Sequence, residues 1–157
     1  MPSNKKKSQR LKPVLDLANL NLENAEAEMG RCRQLLLLEQ QKLSGLITYQ
    51  GEYHEMVHGQ TGTPIAATKL QMTQAFLKQL QTAIEQQQSH IQNVERQLQV
   101  VTDAWRQRYG NSEAITKVIN SAKAEEQAEL DRKQQNETDD IAQMRFFSKD
   151  TETYRGK

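Results

Sequence analysis

Apolar residues recur along the first part of the chain at alternating intervals of four and three residues. This first repeat consists of Leu11, Leu15, Ala18, Leu22, Ala25, Met29, Cys32, Leu36, Leu43, Leu46, Tyr53 and Val57, with Glu39 and Gln50 as polar interruptions. A second repeat with the same spacing consists of Ala66, Leu70, Thr73, Leu77, Leu80, Ile84, Gln87, Ile91, Val94, Leu98, Val101 and Trp105. A period of 3.5 residues kept over about six heptads is typical of helices in a left-handed coiled coil.

A glycine-bracketed segment, Gly59-Gln60-Thr61-Gly62-Thr63-Pro64, separates the two repeats and predicts a turn. If the chain folds back there into an antiparallel hairpin, the residue numbers of paired positions add to 123. Gln50 then shares a polar layer with Thr73, and the small Ala18 lies opposite the large Trp105. The alternative is that each helix pairs with another chain, because periodicity does not identify the partner helix.

The predicted organisation is a disordered basic arm over residues 1–9, a coiled coil over 10–145 and a flexible tail over 146–157. Helix 1 is expected from about residue 11 to 58, and helix 2 from about 64 to 145. At Gly110 and Asn111 the alternatives are a continuous helix, a kink or a break. Helix 1 begins opposite Ser112 in this register, so the rest of helix 2 overhangs the hairpin. The predicted fold is all-α, a long antiparallel two-helix coiled-coil hairpin with a C-terminal helical overhang.

The composition fits a linear core better than a globular one. The 157 residues are 36% apolar and only 5% aromatic, with seven Gly and three Pro, and helix-forming residues predominate. The net charge of +1 gives no global field that would attract nucleic acid. Cys32 is the single cysteine and has no disulfide partner, which is typical of a reducing cytosol. No apolar run approaches the roughly 20 residues that a membrane span requires.

One segment matches a zinc-peptidase pattern. His54-Glu55-Met56-Val57-His58 has two histidines one helical turn apart and an intervening glutamate. A catalytic zinc needs a third protein ligand, and no Asp, Glu, His or Cys follows His58 until Glu85. In the predicted register His90 lies opposite Arg33, about 30 Å along the hairpin. We therefore predict no metal, no cofactor and no catalytic residue.

The two edges of the predicted hairpin differ in character. With Leu46 and Tyr53 at heptad position d, Tyr49 and Phe76 both occupy position g, and g faces g in an antiparallel coil. The same edge carries Met56, Lys42, Ala83 and Leu35, whereas the other carries Gln40, Gln74, Gln81 and Gln88, with Ile47 as the exception. Large apolar side chains outside the core favour a partner-binding site. The alternative is that the rings fold over the core and pack on it.

These residues also resemble the flagellar export protein FliJ family. The resemblance rests on Leu46-Ile47-Thr48-Tyr49-Gln50-Gly51-Glu52-Tyr53, Gln74-Ala75-Phe76, Ala83-Ile84-Glu85-Gln86, Trp105-Arg106 and the opening Leu11-x-x-Val14-x-Asp16-Leu17-Ala18. It covers residues 11 to about 145. Its characteristic residues lie in the middle of the chain, and after Gly110 it rests on Asp140-Ile141-Ala142-Gln143.

The resemblance implies a non-enzymatic component of the flagellar type III export apparatus, cytoplasmic and peripheral at the inner-membrane face of the basal body. The family fold is an antiparallel two-helix coiled coil similar to the central stalk of rotary ATPases. The implied partners are the hexameric export ATPase, the export-gate membrane protein and export chaperones, with no nucleic acid and no small-molecule substrate. The hairpin itself implies a monomer in isolation. The alternative function is a generic homodimeric coiled-coil scaffold or tether.

The resemblance also implies two sets of site residues. The gate-binding set transfers to Leu46, Tyr49, Tyr53, Phe76, Leu80 and Ala83, together with Lys42 and Gln87, where family members can have glutamine and histidine. The end of the hairpin that carries both termini is expected to face the ATPase. The residues assigned there are Arg10, Leu11, Val14, Leu15, Ile115, Ile119 and Ile141.

Overall fold

The computed structural model describes residues 4–59 and 66–156, and these residues form two α-helices. Helix α1 spans Lys7–His58 (52 residues) and helix α2 spans Ala67–Tyr154 (88 residues). No strand occurs within the described ranges. The helices pack against each other, which confirms the all-α hairpin.

The chain divides into two units, each with its own core. Unit 1 comprises Met1–Leu20 and Gly110–Lys157, and unit 2 comprises Asn21–Tyr109. In both units α1 and α2 are antiparallel, because contacts that move forward along α1 move backward along α2.

The core of unit 2 consists of the predicted heptad positions. Its buried apolar side chains are Met29, Cys32, Leu80, Ile84, Ile91, Val94 and Val101. Every one of these residues belongs to one of the two repeats read from the sequence. The spacing of four and three residues therefore identified the face by which each helix packs, since that spacing keeps a narrow apolar face towards one partner helix.

The register of unit 2 differs from the predicted one by about one heptad. Trp105 donates a hydrogen bond from Nε1 to Glu26 Oε1 at 3.4 Å, whereas the predicted register pairs Glu26 with Gln97. A shift of seven residues leaves the heptad pattern of both helices unchanged, so apolar spacing cannot distinguish the two registers. The predicted register is therefore wrong, and so is the Ala18–Trp105 layer that depended on it.

The predicted polar layer of Gln50 and Thr73 is also wrong. Gln50 Nε2 donates to Gln81 Oε1 at 2.9 Å. Thr73 is buried, and its hydroxyl donates to the Lys69 carbonyl oxygen one turn back in its own helix. A threonine in a helix can satisfy its hydroxyl in this way without a partner across the interface.

Helix α1 begins at Lys7, four residues before the predicted start at Leu11 and inside the arm predicted to be disordered. Glu126 holds this first turn, because its carboxylate accepts hydrogen bonds from Ser8 N at 3.0 Å and Ser8 Oγ at 2.8 Å. A carboxylate at a helix N-terminus satisfies unpaired N–H groups and is favoured by the helix dipole. Pro13 lies in the second turn of α1.

Helix α2 passes through Gly110 and Asn111 without a break, which excludes one of the alternatives considered there. The Ser112 side chain is buried in unit 1, where its hydroxyl donates a hydrogen bond to Asn19 Oδ1 at 2.6 Å. The serine therefore contributes to packing between the helices.

The last part of α2 has no α1 residue against it. Glu126 bonds to the first turn of α1, and residues 127–156 are all exposed, so the overhang begins about two heptads later than predicted. The helix also continues to Tyr154, past the predicted end near residue 145. Pairs one turn apart, such as Gln127 with Asp131 and Lys133 with Glu129, support it by about 0.2–0.5 kcal/mol each.

Helix α1 ends at His58, and Gly59 follows with its N–H donating to the Glu55 carbonyl oxygen at 2.7 Å. A Cβ atom at Gly59 would lie 2.6 Å from that oxygen, so only glycine fits without a shift of the backbone. The rest of the predicted turn, and the predicted start of helix 2 at Pro64, lie outside the described residues. Neither helix, over its described residues, contains a stretch long and apolar enough to cross a membrane.

The unit 2 core can be tested with a matched pair of valines in α2. Val94 is 3% exposed and Val100 is 67% exposed. We expect Val94→Ala to lower the free energy of unfolding by about 2 kcal/mol, because it removes buried methyl groups and leaves a cavity. Val100→Ala makes the same chemical change on the surface and should stay within about 0.5 kcal/mol of the parent. Urea unfolding followed by circular dichroism measures both, and equal losses would contradict this description of the core.

Candidate protein-docking surfaces

Three aromatic rings meet at one edge of unit 2. Tyr53 and Phe76 have ring centroids 4.7 Å apart, and Tyr49 meets Phe76 edge-on at 6.1 Å. Tyr49 and Tyr53 are one helical turn apart in α1, with centroids separated by 6.5 Å. These three residues are called the aromatic cluster below. Such pairs contribute about 0.5–1.5 kcal/mol beyond the area they bury. The structure thus brings together Tyr49 and Phe76 as the sequence predicted.

The aromatic cluster has a covered base and an exposed rim. Tyr53 and Phe76 are half-buried, whereas Tyr49 is 49% exposed and Met56 on the same helix is 60% exposed. The rings therefore differ in how far they pack on the core. Two rings rest on the core, and Tyr49 and Met56 extend an apolar surface into solvent.

The remaining residues of the predicted gate-binding set differ in accessibility. Leu46, Ala83 and Gln87 are half-buried, and Lys42 is exposed. Leu80, at 8% exposure, belongs to the core and lies one helical turn from Phe76. Its side chain is therefore placed to support the edge from beneath rather than to contact a partner directly.

A buried carboxylate lies close to this edge. Glu39 occupies a core position at 5% exposure. Gln87 donates from Nε2 to Glu39 Oε2 at 2.6 Å and to the Glu39 carbonyl oxygen at 2.9 Å. Lys42 Nζ donates to Oε1 at 2.8 Å, and His90 Nε2 lies 3.7 Å from Oε2. Glu39, Lys42, Gln87 and His90 are called the Glu39 cluster below. Each carboxylate oxygen has a partner, as a buried charge requires.

The electrostatics of the Glu39 cluster favour the ionised carboxylate. The hydrogen bond from Lys42, and next that from Gln87, lower the pKa of Glu39 below its usual value, and they outweigh burial, which raises it. The sequence marked Glu39 only as a polar interruption of the repeat. It placed His90 opposite Arg33, and that placement is wrong because His90 lies beside Glu39.

The residues predicted to face the ATPase do not form one exposed surface. Ile119 is 5% exposed and is a core residue of unit 1, while Leu11, Leu15 and Ile115 are half-buried. Arg10, Val14 and Ile141 are exposed, the last two at 47% and 53%. Only these three are free to meet a partner without opening unit 1.

A second carboxylate joins the helices of unit 1. The hydrogen bond from the Ser8 backbone N–H, followed by that from its hydroxyl, lowers the pKa of Glu126. Lys6 and Lys123 add smaller favourable charge interactions. No signal in the local sequence pairs Ser8 with Glu126, because 118 residues separate them.

The histidines of the zinc-peptidase pattern stack on each other. The His54 and His58 rings have centroids 5.7 Å apart and planes inclined by 17°. Among the described residues no group of three His, Cys, Asp or Glu side chains is arranged to hold a metal ion.

Comparison with known proteins gives a consistent family. The family model described as "Flagellar FliJ protein" matches residues 6–151. A flagellar FliJ protein of Salmonella typhi is 25% identical over 139 residues, which cover 88% of this chain and 95% of the relative. A flagellar FliJ protein of Escherichia coli (strain K12) is 24% identical over 98 residues, which cover 62% of this chain and 67% of the relative. No solved structure matches the chain.

The lowered pKa of Glu39 predicts a pH-dependent contribution to stability. A carboxylate that binds its proton less tightly in the folded chain stabilises the fold fully above its unfolded pKa, near 4.5, and loses this effect as the pH falls through its folded pKa. Glu39→Gln should therefore melt at a lower temperature than the parent at pH 7, and the gap should close in acid. Glu85→Gln, at an exposed carboxylate that accepts one bond from Gln81, is the control. Thermal melts from pH 7 to pH 3 test this, and a gap for Glu39→Gln that stays constant would contradict it.

Proposed function

Since the chain belongs to the flagellar FliJ protein family, we propose that this flagellar export component links the export ATPase ring to the export-gate membrane protein. It does so by binding and by stiffness, without a catalytic step of its own. Export chaperones are further partners. The site of action is the cytoplasmic side of the inner membrane at the flagellar basal body, where the protein is peripheral.

The observation that carries this proposal is the aromatic cluster. Aromatic side chains with a covered base are held in place before binding, so they lose little conformational freedom when a partner covers them. Tyr49 and Met56 offer exposed apolar area beside them, and Lys42 adds a positive charge. This combination of fixed rings, apolar area and a polar margin is typical of the energetically important part of a protein interface.

The ATPase is assigned to the other unit. Arg10 and Val14 on α1, and Ile141 in the overhang, are exposed in unit 1, whereas the aromatic cluster belongs to unit 2. The two sets share no residue. Each unit is packed along a heptad core, in which side chains of one helix insert between those of the other and stiffen the pair.

Intramolecular pairing favours the hairpin stalk over a homodimeric tether. In unit 2 the two repeats are buried against each other, so the apolar faces that would hold a second chain are already used. We therefore propose a monomer in isolation. A mass measurement by light scattering at micromolar concentration distinguishes the two, since a tether requires the mass of two chains.

The gate assignment predicts that the double variant Tyr49→Ala, Phe76→Ala loses binding to the soluble region of the export-gate protein. Loss of two central aromatic anchors should weaken the affinity by at least about 100-fold, because such residues typically contribute 2 kcal/mol or more each. Titration calorimetry measures the affinity, and circular dichroism should show unchanged helix content. Ile47→Ala is the matched control, because Ile47 is 48% exposed on the opposite edge. Equal affinity in the double variant and the parent would refute the assignment.

The ATPase assignment predicts that the parent protein stimulates ATP hydrolysis by the purified export ATPase and that the double variant Val14→Glu, Ile141→Glu does so weakly or not at all. Both positions are exposed, so the added charges disturb a partner surface rather than the core. Met56→Glu, in unit 2, is the control and should stimulate normally. If the Val14→Glu, Ile141→Glu variant still stimulates hydrolysis and Met56→Glu does not, the assignment is contradicted, because the ATPase would then contact unit 2.

A further inference from the structure

The heptad repeats of unit 2 are compatible with more than one register. If α2 slides by seven residues along α1, every core position again meets a core position, as in the register that the sequence predicted. Apolar packing alone therefore leaves two arrangements close in energy. Something other than apolar spacing must select the observed arrangement, and the candidates are the polar residues that interrupt the repeats.

Glu39 distinguishes the two registers. In the structure its carboxylate accepts a hydrogen bond from Gln87 and lies 3.7 Å from His90. In the register predicted from the sequence, the residues seven positions earlier, Leu80 and Ala83, take those two places. Neither has a side-chain donor. Lys42, on the same helix as Glu39, would remain as a partner, but the second carboxylate oxygen would face apolar side chains, which is unfavourable for a buried charge.

A slide in the opposite direction is unfavourable for the same reason. Val94 would then take the place of Gln87, so Glu39 would again lose the donor that now contacts both its carboxylate and its carbonyl oxygen. Gln97 would take the place of His90. Gln97 also carries a side-chain donor, but only the observed register keeps Gln87 on both the carboxylate and the carbonyl oxygen of Glu39 while His90 stays beside the carboxylate.

The register also decides which residues form the docking edge. Phe76 lies beside Tyr53 and Tyr49 only in the observed register. In the register predicted from the sequence, Lys69 takes the place of Phe76, and the aromatic cluster loses its α2 member. A shift of seven residues keeps every residue at its heptad position. The same edge of the hairpin therefore faces the same side, but different α2 residues lie along it beside Tyr49 and Tyr53.

We propose that Glu39 is a positioning residue: its hydrogen bond with Gln87 sets the register of α1 against α2, and thereby assembles the aromatic cluster. The register part of this inference is independent of the proposed function. The consequence for gate binding rests on that function. A single buried polar residue that fixes the register of a coiled coil is an established use of such residues in general.

The native Cys32 provides a reporter of register. Its Sγ lies 4.0 Å from the Val94 carbonyl oxygen, and its side chain lines a groove with Gln97 and Val101. Leu98 is therefore the core residue opposite Cys32 in the observed register, and Ile91 would take that place after the slide. A disulfide forms only between cysteines whose Cα atoms are within about 7 Å. Leu98→Cys and Ile91→Cys thus report the two registers separately.

The experiment measures the intramolecular disulfide fraction of the full chain in a thiol–disulfide exchange buffer, by mass spectrometry. With Glu39 present, we expect Leu98→Cys to form the bond with Cys32 at least tenfold more than Ile91→Cys. In the Glu39→Leu background, the Ile91→Cys bond should rise at least fivefold. Val100→Cys, at an exposed position, is the control for random collision. If the ratio of the two bonds is the same with Glu39 and with Leu at position 39, the proposal is overturned.

A reciprocal variant separates register selection from a general loss of stability. Leu80→Gln together with Gln87→Leu moves the donor by one heptad while Glu39 is kept. This variant should favour the Ile91→Cys bond, because Glu39 now finds its donor in the other register. A merely stabilising role for Glu39 predicts no such reversal, so a persistent preference for Leu98→Cys would refute the proposal. Circular dichroism on each reduced variant checks that the helices are retained.

The same variants address binding. The Leu80→Gln, Gln87→Leu variant should also lose affinity for the soluble region of the export-gate protein at least tenfold, because Phe76 no longer lies beside Tyr49. If the disulfide pattern reverses and the affinity is unchanged, the gate assignment of the aromatic cluster fails while the register proposal stands. If the pattern does not reverse, the register proposal fails whatever the affinity.

Discussion

In a pair of helices, apolar side chains can be buried only at the interface between the two. Every feature of unit 2 therefore depends on how α1 and α2 pack along that interface. The core is one or two side chains wide. Among the residues that the structure describes, no large side chain is completely buried, and even Val94, among the most covered, retains 3% exposure. Stability is therefore distributed along many similar layers. A substitution at any one layer removes part of the total, and no residue forms a centre on which the rest are organised.

In such a linear core, polar residues determine the register of the two helices more strongly than apolar residues do. Apolar layers are interchangeable after a slide of one heptad, whereas Glu39 meets Gln87 and His90 together in one arrangement only. A buried carboxylate contributes little to stability against an apolar substitute, because the cost of removing it from water offsets what its hydrogen bonds gain. Its contribution is to raise the energy of the alternatives. Ser8 and Glu126 act similarly in unit 1, where they fix the first turn of α1 against α2.

The sequence predicted what repeats locally and missed what depends on distant pairs. The spacing of four and three residues identified both helices and the face that each one buries, because that information lies within a few turns of each helix. The placement of Tyr49 and Phe76 on one edge was also correct, since the edge follows from heptad position and survives a slide. The register was wrong, because Glu26 and Trp105, or Glu39 and Gln87, are paired only by the fold. The start of α1 was missed for the same reason.

The two candidate surfaces differ in how they are prepared for a partner. In the aromatic cluster the rings of Tyr53 and Phe76 are already fixed by packing, so a partner gains apolar contact without the cost of ordering them. In the overhang, α2 has no α1 residue beside it, and its helix depends on local pairs such as Gln127 with Asp131. Because most helical stability comes from tertiary packing, this segment stands to gain more from a partner than unit 2 does. Ile141, the overhang residue of the proposed ATPase-facing set, is 53% exposed and would supply apolar area for that gain. The physical expectation is therefore a rigid surface in unit 2 and, in the overhang, a helix whose stability increases when it is bound.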